Sequence, residues 1–336
     1  MDPKVTVLMP VYNSEKYLKE AIESILSQSF TDFEFLIVCD PSTDNTVEVL
    51  NSFNDNRLRL IINEQHIGQP ESYNMGIKLA RGDYIAIMHS DDISLPHRLE
   101  KQFEFMENKP DIGICGTWVN LIEGDIKTAW HTPTEPDLTK CTLLFSPSVH
   151  HPSVIMRKSF LIDNNLFYRA EFKTAEDYDF WVRASMCFPL SNLDEVLLLY
   201  RRHPGQLSIR KAEDENKNAD SIRLFQLNLL DLNPTDDEAL THNRIARGER
   251  FKSKSDIVEV EAWLEKINEA NENKKIYPRP ALAEYLAKRW FGICYSASIL
   301  GHWAFKTYYD STLSDYYKID FQRKAKFLTR CAVKKI

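Results

Sequence analysis

The first third of the chain repeats one pattern three times: a short apolar segment, a polar loop, and then residues with helical spacing. The apolar segments are Val5 to Met9, Phe33 to Val38 and Leu58 to Ile62, and Pro10 is predicted to end the first of them. Strands that alternate with helices favour a mostly parallel sheet, because each helix returns the chain over one face of the sheet. The sequence therefore predicts an α/β fold with a Rossmann-like, doubly wound sheet that has helices on both faces.

Two adjacent carboxylates, Asp91 and Asp92, follow the apolar run Tyr84 to Met88, where a fourth strand is predicted to end. Ligands of open α/β sheets bind beyond the carboxyl ends of the strands. Two like charges this close repel each other unless a cation or a donor-rich ligand balances them. The pair therefore indicates a divalent cation that carries a diphosphate. The same residues also fit a solvated turn before a helix that starts near Ser94 and Pro96.

Glycine usage and net charge narrow the ways in which a phosphate group can be held. No glycine occurs before Gly68, which excludes the glycine-rich loops GxGxxG and GxxxxGKS/T from the first two repeats. The net charge of -7 argues against a nucleic-acid-binding protein, because affinity for a phosphate backbone needs clustered lysine and arginine. The negative charge of a bound phosphate group must then be neutralised within the binding site, by a metal ion or by a few basic side chains.

A second acidic cluster, Thr174 to Asp179, precedes a short apolar run. A helix that begins there would have Thr174 as its N-cap, with Asp177 completing an approximate capping box. A carboxylate among like charges also has a raised proton affinity, which suits a general base that takes a proton from a hydroxyl group. Both interpretations stay open, since a helix start is a rigid place for a catalytic carboxylate.

A basic segment follows the last predicted strand, Val196 to Tyr200. Arg201 and Arg202 are candidates for contact with phosphate oxygens, and His203 is a candidate metal ligand. Mn²⁺ accepts an imidazole ligand more readily than Mg²⁺ does.

Other polar segments have less specific chemistry. His150 and His151 are predicted to lie on a strand, where neighbouring side chains point to opposite faces and do not easily chelate one ion. We expect an acceptor-side or structural role for them. The loop Asn63 to Asn74 is predicted to close over a ligand, and Glu123 to Lys140 is predicted to be an irregular loop that faces a substrate.

Five stretches between about Val5 and Ser208 resemble the family 2 inverting glycosyltransferases, which have the GT-A fold. They are Met9 to Asn13, Asp40 to Asp44, Gly68 to Gly76, Ser90 to Arg98, and Ala175 to Asp177. Each stretch is a weak signal alone, but five in this order are specific. The family usually has an acid at the position of Cys39 and often one at the position of His89, and Pro41 replaces a common glycine.

The resemblance implies a donor site around the first strands. Pro10, Val11 and Tyr12 would line the nucleotide base, Asp40 would bond uracil, and Asp91 would bond the ribose. The matching loop residues Gly68 and Asn74 would belong to the same donor site.

The resemblance also implies a metal and a base. Asp92 would bind Mn²⁺ or Mg²⁺ on the diphosphate, joined by His203. Asp177, beside Glu176, matches the catalytic base of the family. The implied reaction moves a sugar from a nucleotide diphosphate donor, most simply a UDP-sugar, to a hydroxyl group of a glycan or lipid-linked acceptor, with inversion. Such a reaction serves polysaccharide and cell-envelope synthesis.

Two other functions are compatible with parts of the pattern. A sugar-1-phosphate nucleotidyltransferase would use a related sheet, but it would need a glycine- and arginine-rich loop where Pro10 to Asn13 stands. A non-catalytic nucleotide-sugar-binding subunit would explain the departures at Cys39 and His89. The retained Asp177 argues against such a subunit.

The chain is predicted to divide into three parts. The resemblance implies that residues 1–110 form a nucleotide-sugar-binding α/β half and that 111–210 form the acceptor-binding and catalytic half of the same GT-A domain. Residues 211–336, where the sequence changes to helical segments, are predicted to form a C-terminal helical extension. Residues 212–220 are predicted to be a linker. Past Asp320 the charged side chains are all basic: Arg323, Lys324, Lys326, Arg330, Lys334 and Lys335. This tail predicts either contact with an anionic membrane surface or a solvated basic end.

The compartment is predicted from what the sequence lacks. Its six cysteines show no CxxC spacing, which indicates a reducing compartment. No charged-then-apolar leader is visible, and no stretch reaches the roughly 18 apolar residues that a membrane span needs. The expectation is a cytoplasmic protein, with a peripheral position on the inner face of the cell membrane if the tail binds lipid.

Overall fold

A computed structural model of the protein describes residues 2–124 and 126–332. These residues form two compact units. The first contains residues up to 139 together with 147–219, and the second contains 140–146 together with the residues from 220 onward. The domain boundaries predicted from the sequence, after residues 110 and 210, stay predictions.

The first unit begins with three strand–helix repeats. In chain order its first elements are β1 Val5–Val11, α1 Glu15–Leu26, β2 Phe33–Cys39, α2 Thr46–Asn51, β3 Leu58–Ile62, α3 Gln69–Leu79, β4 Tyr84–Ile87, β5 Ile93–Ser94 and α4 Arg98–Asn108. The elements that follow are β6 Ile114–Glu123, β7 Ile126–Trp130, α5 Pro136–Thr142, β8 Ile155–Arg157, α6 Lys158–Asp163, α7 Glu176–Ala184 and β9 Leu190–Arg201.

The described strands form one sheet in the order β3-β2-β1-β4-β8-β6-β9-β5, and β7 pairs with β6. The first four of these strands are parallel to one another, as are β6 and β9, whereas β8 runs antiparallel to both of its neighbours. The carboxyl ends of β1, β2 and β4 therefore lie at one edge, where such sheets bind ligands. The predicted α/β fold with a mostly parallel, doubly wound sheet is confirmed.

The prediction that Pro10 ends the first strand is wrong. β1 continues through Pro10 to Val11 and stays paired with β2 over its whole length. β4 pairs with β1 only from Val5 to Leu8, so the proline comes after the pairing with β4 has ended. Proline is tolerated there because its missing N–H interrupts no bond between the two strands.

Two segments predicted to be irregular are ordered. The stretch Glu123 to Lys140 contains β7 and the start of α5, although we expected a loop. The acidic residues 212–220, expected to be a linker, lie inside the helix Ala212–Leu229. The negative charges near the start of that helix are favoured by its dipole, which the linker interpretation overlooked.

The C-terminal region is helical, as predicted. Its helices are α8 Leu207–Arg210, α9 Ala212–Leu229, α10 Asp236–Ala246, α11 Lys254–Lys274, α12 Arg279–Ser296, α13 His302–Asp310 and α14 Phe321–Ala332. Buried aromatic side chains, among them Trp263, Trp290 and Phe327, form the core of the second unit. Within residues 2–124 and 126–332 every helix is too short or too polar to cross a membrane. Lys334 and Lys335 of the basic tail lie outside the described residues.

Candidate functional site

Hydrogen bonds join the loops that follow β1, β2 and β4. The Oγ atoms of Ser14 and Ser90 lie 2.8 Å apart, and the N–H of Ser14 donates to Oγ1 of Thr46 at 2.8 Å. Oδ1 of Asn13 accepts the N–H of Thr43 at 2.8 Å. These bonds hold the loops at the carboxyl ends of the strands in one fixed arrangement.

Asp40, which the sequence predicted to belong to the donor site, is buried and accepts several hydrogen bonds. Its carboxylate accepts hydrogen bonds from Nδ2 of Asn63 at 2.8 Å, from the N–H of Gly68 at 2.9 Å, and from the N–H of Ile67 at 3.3 Å. Nδ1 of His66 lies 3.0 Å from the same carboxylate. Asp40 therefore fixes the loop between β3 and α3, and its predicted bond to uracil stays a prediction.

An exposed aromatic pair lies beside Asp40. The rings of Tyr12 and His66 are 4.5 Å apart, and Tyr12 is 48% exposed. Pro10 and Val11 lie on β1 immediately before Tyr12, and the carbonyl of Val11 accepts the N–H of Asp40 at 2.9 Å. The two rings are tilted by 48°, and the exposed face of the Tyr12 ring suits stacking against a nucleobase.

Asp91 and Asp92 form an acidic tip beyond β4, and one of its carboxylate oxygens lacks a hydrogen bond among the described residues. Asp92 is only 1% exposed, and its Oδ1 accepts the N–H of Arg201 at 2.8 Å. Its Oδ2 has no hydrogen-bond partner among the described residues, and Nδ1 of His89 lies 3.7 Å from it. Burial, with a further contribution from the charge of Asp91, holds the pKa of Asp92 well above its usual range. A buried carboxylate left in this state costs free energy unless a cation binds it.

The tip fits a divalent cation. His89, Asp91 and Asp92 each offer one ligand atom, and these three atoms lie within 4.8 Å of one another. Nε2 of His203, the other predicted ligand, lies 3.1 Å from Oδ2 of Asp91. The sequence singled out His89 only as a departure from the family pattern and did not predict it as a ligand. Oxygen ligands with one imidazole are a donor set that Mn²⁺ accepts.

Arg201 holds the acidic tip in place through hydrogen bonds to Asp91 and Asp92. Its Nε donates to the carbonyl of Asp91 at 2.8 Å, a guanidinium nitrogen lies 2.5 Å from Oε2 of Glu20, and the guanidinium lies 4.4 Å from the centre of the Tyr17 ring. Arg202 is exposed, and its N–H donates to a carbonyl on β6. The predicted contacts of these arginines with phosphate oxygens stay predictions.

A buried arginine, which the sequence analysis missed, lies under the same tip. Arg98 donates to the carbonyl of Ile87 at 2.7 Å and to Oε1 of Gln102 at 3.0 Å. Burial lowers the pKa of Arg98 to about 9, opposed by the charge of Asp92. Arg98 therefore fixes the end of β4, which carries the acidic pair.

The loop residues predicted for the donor site have structural partners. Gly68 precedes α3 with a positive φ of 83°, a conformation that favours glycine. Nδ2 of Asn74 donates to the carbonyl of Tyr168 at 2.8 Å, and its Oδ1 accepts the N–H of Tyr168 at 2.8 Å. Asn74 thus holds the backbone of Tyr168, and its contact with a donor stays a prediction.

The predicted base lies at the start of α7, but the predicted capping box is wrong. The N-cap is Ala175, which adopts a left-handed conformation with φ 57°, and its side chain makes no capping bond. Thr174 instead accepts Nδ2 of Asn218 at its Oγ1 and at its carbonyl. The helix therefore begins at Glu176, so Glu176 and Asp177 are its first two residues.

Three carboxyl groups in this part of the chain have raised proton affinities. Burial raises the pKa of Asp177, although Oδ1 of Asp177 also accepts the N–H of Tyr178 at 2.7 Å. Burial and the neighbouring charge of Asp177 raise the pKa of Glu176. Burial, followed by the charge of Asp177, raises the pKa of Glu215 in α9 to about 7. Glu215 was not predicted as a site residue, because the acidic segment around it was interpreted as a linker.

The pKa of Tyr200 responds to charges of both the acidic tip and the predicted base. Burial raises the pKa of Tyr200, and the charges of Asp92, Asp91 and Asp177 raise it further. Both carboxylate groups therefore act on the same phenol at the end of β9.

The paired histidines lie in a 3-10 turn, not on a strand as predicted. His151 begins the turn His151–Ser153, and the ring of His150 packs 4.4 Å from that of Trp130. Nδ1 of His151 lies 2.9 Å from Nε2 of His89, and its Nε2 lies 2.8 Å from the hydroxyl of Tyr168. Burial lowers the pKa of His89 and of His151, so both imidazoles are neutral near neutral pH.

Comparison with known proteins shows that the chain is similar to glycosyltransferases. Residues 6–165 match the sequence model of glycosyl transferase family 2. An uncharacterized glycosyltransferase of Methanocaldococcus jannaschii is 38% identical over 207 residues, which cover 59% of this chain and 71% of the relative. An uncharacterized glycosyltransferase of Haemophilus influenzae is 31% identical over 237 residues, covering 66% of this chain and 72% of the relative. Glycosyltransferase GlyG of Streptococcus pneumoniae is 28% identical over 246 residues, covering 69% of this chain and 81% of the relative.

A solved structure shares the fold. The crystal structure of residues 1–349 of S. aureus TarS in complex with UDP-GlcNAc aligns with a TM-score of 0.59 at 21% identity. The alignment covers 93% of this chain and 90% of that chain. The likeness confirms the predicted GT-A fold.

Proposed function

The chain belongs to glycosyl transferase family 2, and from that membership we propose that it moves a sugar from a nucleotide diphosphate donor, a UDP-sugar, to a hydroxyl group of a glycan or lipid-linked acceptor, with inversion. The observation that carries the proposal is the buried Asp92 carboxylate, whose Oδ2 lacks a hydrogen bond among the described residues. It lies at the sheet edge where GT-A donors would bind, and a cation with a diphosphate would satisfy it.

The donor base would lie against the aromatic pair. Tyr12 and His66 are exposed aromatic rings, and Pro10 and Val11 precede Tyr12 on β1. Asp40 is proposed to contact uracil, and the loop it fixes through Gly68 would border the base. The UDP-GlcNAc bound to TarS supports a uridine donor for this fold.

The cation would be Mn²⁺ or Mg²⁺, held by Asp92 and, from its position, by Asp91, whose predicted bond to the ribose stays a prediction. His203 would steady Asp91, or join it on the ion. When bound, such an ion stabilises the charge that grows on the departing diphosphate. Arg201 would contribute by keeping the tip in place, since it bonds the backbone of Asp91 and the carboxylate of Asp92.

Asp177 is proposed as the general base. It would take the proton of the acceptor hydroxyl as that oxygen attacks the sugar from the face opposite the diphosphate. Its raised pKa makes it a stronger base than an exposed aspartate. Burial and the charge of Asp177 also raise the pKa of Glu176, so the two neighbouring carboxyl groups would titrate as a pair.

The acceptor would lie along the edge of β7. Trp130, at the end of β7, is 48% exposed and packs against His150 and, at 6.4 Å, against Tyr200. An exposed indole with fixed edges is a suitable surface for the apolar face of a sugar ring. Trp130→Ala should therefore raise KM for the acceptor and leave KM for the donor unchanged; a changed donor KM alone would contradict this placement.

The last helix is proposed to contact an anionic membrane surface from the cytoplasmic side. The charged side chains of α14 are all basic, and Phe321 is 84% exposed. Basic residues beside an exposed aromatic ring are typical of helices that lie on anionic lipid.

The function is tested by a screen followed by a product assay. Thermal shifts with a panel of nucleotide sugars, with and without Mn²⁺, would identify the donor, because a ligand that binds only the folded protein stabilises it. NMR of the product formed from that donor then reports the anomeric configuration. We expect inversion; retention, or release of pyrophosphate from UTP and a sugar 1-phosphate, would refute the proposal.

A further inference from the structure

The buried side chains of His151 and Tyr168 and the partly buried side chain of His89 form a hydrogen-bonded row beside the acidic tip. His89 follows β4, His151 lies in the turn before β8, and Tyr168 precedes α7, so the row joins three separate parts of the first unit. The distances are 2.9 Å from His89 Nε2 to His151 Nδ1, and 2.8 Å from His151 Nε2 to the Tyr168 hydroxyl. Asn74 holds the backbone of Tyr168 with two further bonds.

Because Nε2 of His89 contacts His151, Nδ1 is the ring nitrogen of His89 that faces the acidic tip. Nδ1 of His89 lies 3.7 Å from Oδ2 of Asp92, which is too long for a hydrogen bond between them. If Nε2 of His89 donates to Nδ1 of His151, then His151 carries its proton on Nε2 and donates to Tyr168. Nδ1 of His89 then presents a lone pair toward the Asp92 oxygen that lacks a hydrogen bond among the described residues.

Two lone pairs that face each other across this gap are unfavourable unless a cation lies between them. Histidines that bind metals almost always donate their second ring N–H to a neighbouring acceptor, which fixes both the tautomer and the ring orientation. The 2.9 Å contact between Nε2 of His89 and Nδ1 of His151 has that form in the tautomer in which His89 donates. The ligand atoms of His89, Asp91 and Asp92 are already close enough to share one ion.

We propose that His89 is a direct ligand of the divalent cation through Nδ1, positioned by His151 and Tyr168, and that this ligand makes the site prefer Mn²⁺ to Mg²⁺. The inference rests on the proposed function and goes beyond it, because it assigns a nitrogen ligand where the family pattern has an acid. Mg²⁺ favours an all-oxygen shell, whereas Mn²⁺ accepts imidazole.

The test measures cation binding without any turnover. The full chain with UDP would be titrated with Mn²⁺ and with Mg²⁺ by calorimetry, and bound Mn²⁺ would be examined by pulsed electron paramagnetic resonance for coupling to a ligand ¹⁴N nucleus. His89→Gln is the informative variant, because its amide can still donate to His151 but offers no nitrogen lone pair to the ion. His97→Gln, at an exposed histidine, is the matched control.

We expect His89→Gln to weaken Mn²⁺ binding by at least about 10- to 100-fold, because a change that affects only the partners of a metal ligand already lowers affinity by this much. Mg²⁺ binding should weaken less, and the ¹⁴N coupling should be reduced. His89→Asp should restore cation binding and shift the preference toward Mg²⁺. Tyr168→Phe should weaken Mn²⁺ binding without removing the ¹⁴N coupling, because it loosens His89 indirectly.

The outcomes separate this inference from the proposed function. If wild-type protein with UDP binds Mn²⁺, but His89→Gln binds it equally well with unchanged ¹⁴N coupling, the inference is wrong and the proposed function stands. If wild-type protein with UDP binds neither ion, both fail. Folding of each variant is checked by its melting curve without metal, and His89→Asp keeps the test valid if His89→Gln does not fold.

Discussion

The backbone N–H of Gly68 donates to the Asp40 carboxylate at 2.9 Å. The bond connects the end of β2 to the first turn of α3 and joins two residues that lie 28 positions apart. Asp40 is thus both the residue proposed to contact the donor base and the acceptor that shapes the loop around it. A change at Asp40 should affect folding and donor binding together.

Asp40→Asn should destabilise the protein and weaken UDP binding. The amide can replace one acceptor oxygen but not two, and a hydrogen bond to a charged group contributes about 1.5–3 kcal/mol. Chemical denaturation and UDP titration would measure the two effects. Glu64→Gln, an exposed carboxyl in the same loop, is the control and should change neither. Full stability with normal UDP affinity in Asp40→Asn would refute the assigned role.

Asp177→Asn should reduce turnover while leaving UDP and Mn²⁺ binding intact. Loss of a general base typically lowers the rate by about 10²- to 10⁴-fold. Steady-state kinetics and a parallel UDP titration would separate the chemical step from binding. Asp163→Asn, at an exposed carboxyl on α6, should behave like wild type. A variant that keeps more than about a tenth of the wild-type rate, outside that range, would show that another group removes the proton.

Glu215 should make the stability of the protein depend on pH. Its pKa is about 7 in the folded protein, above its ordinary value of 4.5, because burial and the charge of Asp177 oppose ionisation. The folded state therefore holds the proton more tightly than the unfolded state, so stability is lost as the pH rises from about 4.5 to about 7.

Glu215→Gln should remove part of this loss. In thermal melts without metal, the melting temperature should fall less between pH 4.5 and pH 8 in the variant than in the wild type. Glu213→Gln is the matched control, since Glu213 is exposed on the same helix and pairs with Lys217. Equal pH dependence in wild type and Glu215→Gln would mean that Glu215 does not titrate in this environment.

The sequence predicted those parts of the fold whose signal is local. β3 begins and ends at the predicted residues, and α1 buries Leu18, Ala21, Ile22 and Ile25 as its spacing indicated. Apolar segments bounded by polar residues define such elements without reference to the rest of the chain. The position of Asp91 and Asp92 follows from the same reasoning, since it depends only on where β4 ends.

Features that depend on tertiary contacts were not predicted. All five residues of β7 are exposed, so no alternation of apolar and polar residues marked it as a strand. The left-handed Ala175, which moved the start of α7 past Thr174, has no signature in residue type. The bond between His89 and His151 joins positions 62 residues apart, so sequence spacing gave no indication of it.

α14 should bind anionic lipid through its basic side chains. Lys324→Glu together with Lys326→Glu reverses two exposed charges of α14, and each basic residue near an anionic surface contributes about 1 kcal/mol. Sedimentation with phosphatidylserine vesicles should show binding at least about tenfold weaker for this variant. Lys252→Glu, an exposed lysine outside α14, is the control. Unchanged binding in the double variant, or equal binding to neutral vesicles, would exclude this surface.

The central claim is that a cation on the acidic tip allows this chain to bind a nucleotide diphosphate. Its most direct test is calorimetric titration of UDP into wild-type protein and into Asp92→Asn, with Mn²⁺ and then with excess EDTA. We predict that wild-type protein binds UDP with Mn²⁺ at least about tenfold more tightly than with EDTA, a difference of about 1.4 kcal/mol. Asp92→Asn should lose that difference while melting at or above the wild-type temperature without metal, because it removes a buried carboxylate. UDP binding that is equally tight with EDTA, or unchanged in Asp92→Asn, would contradict the account.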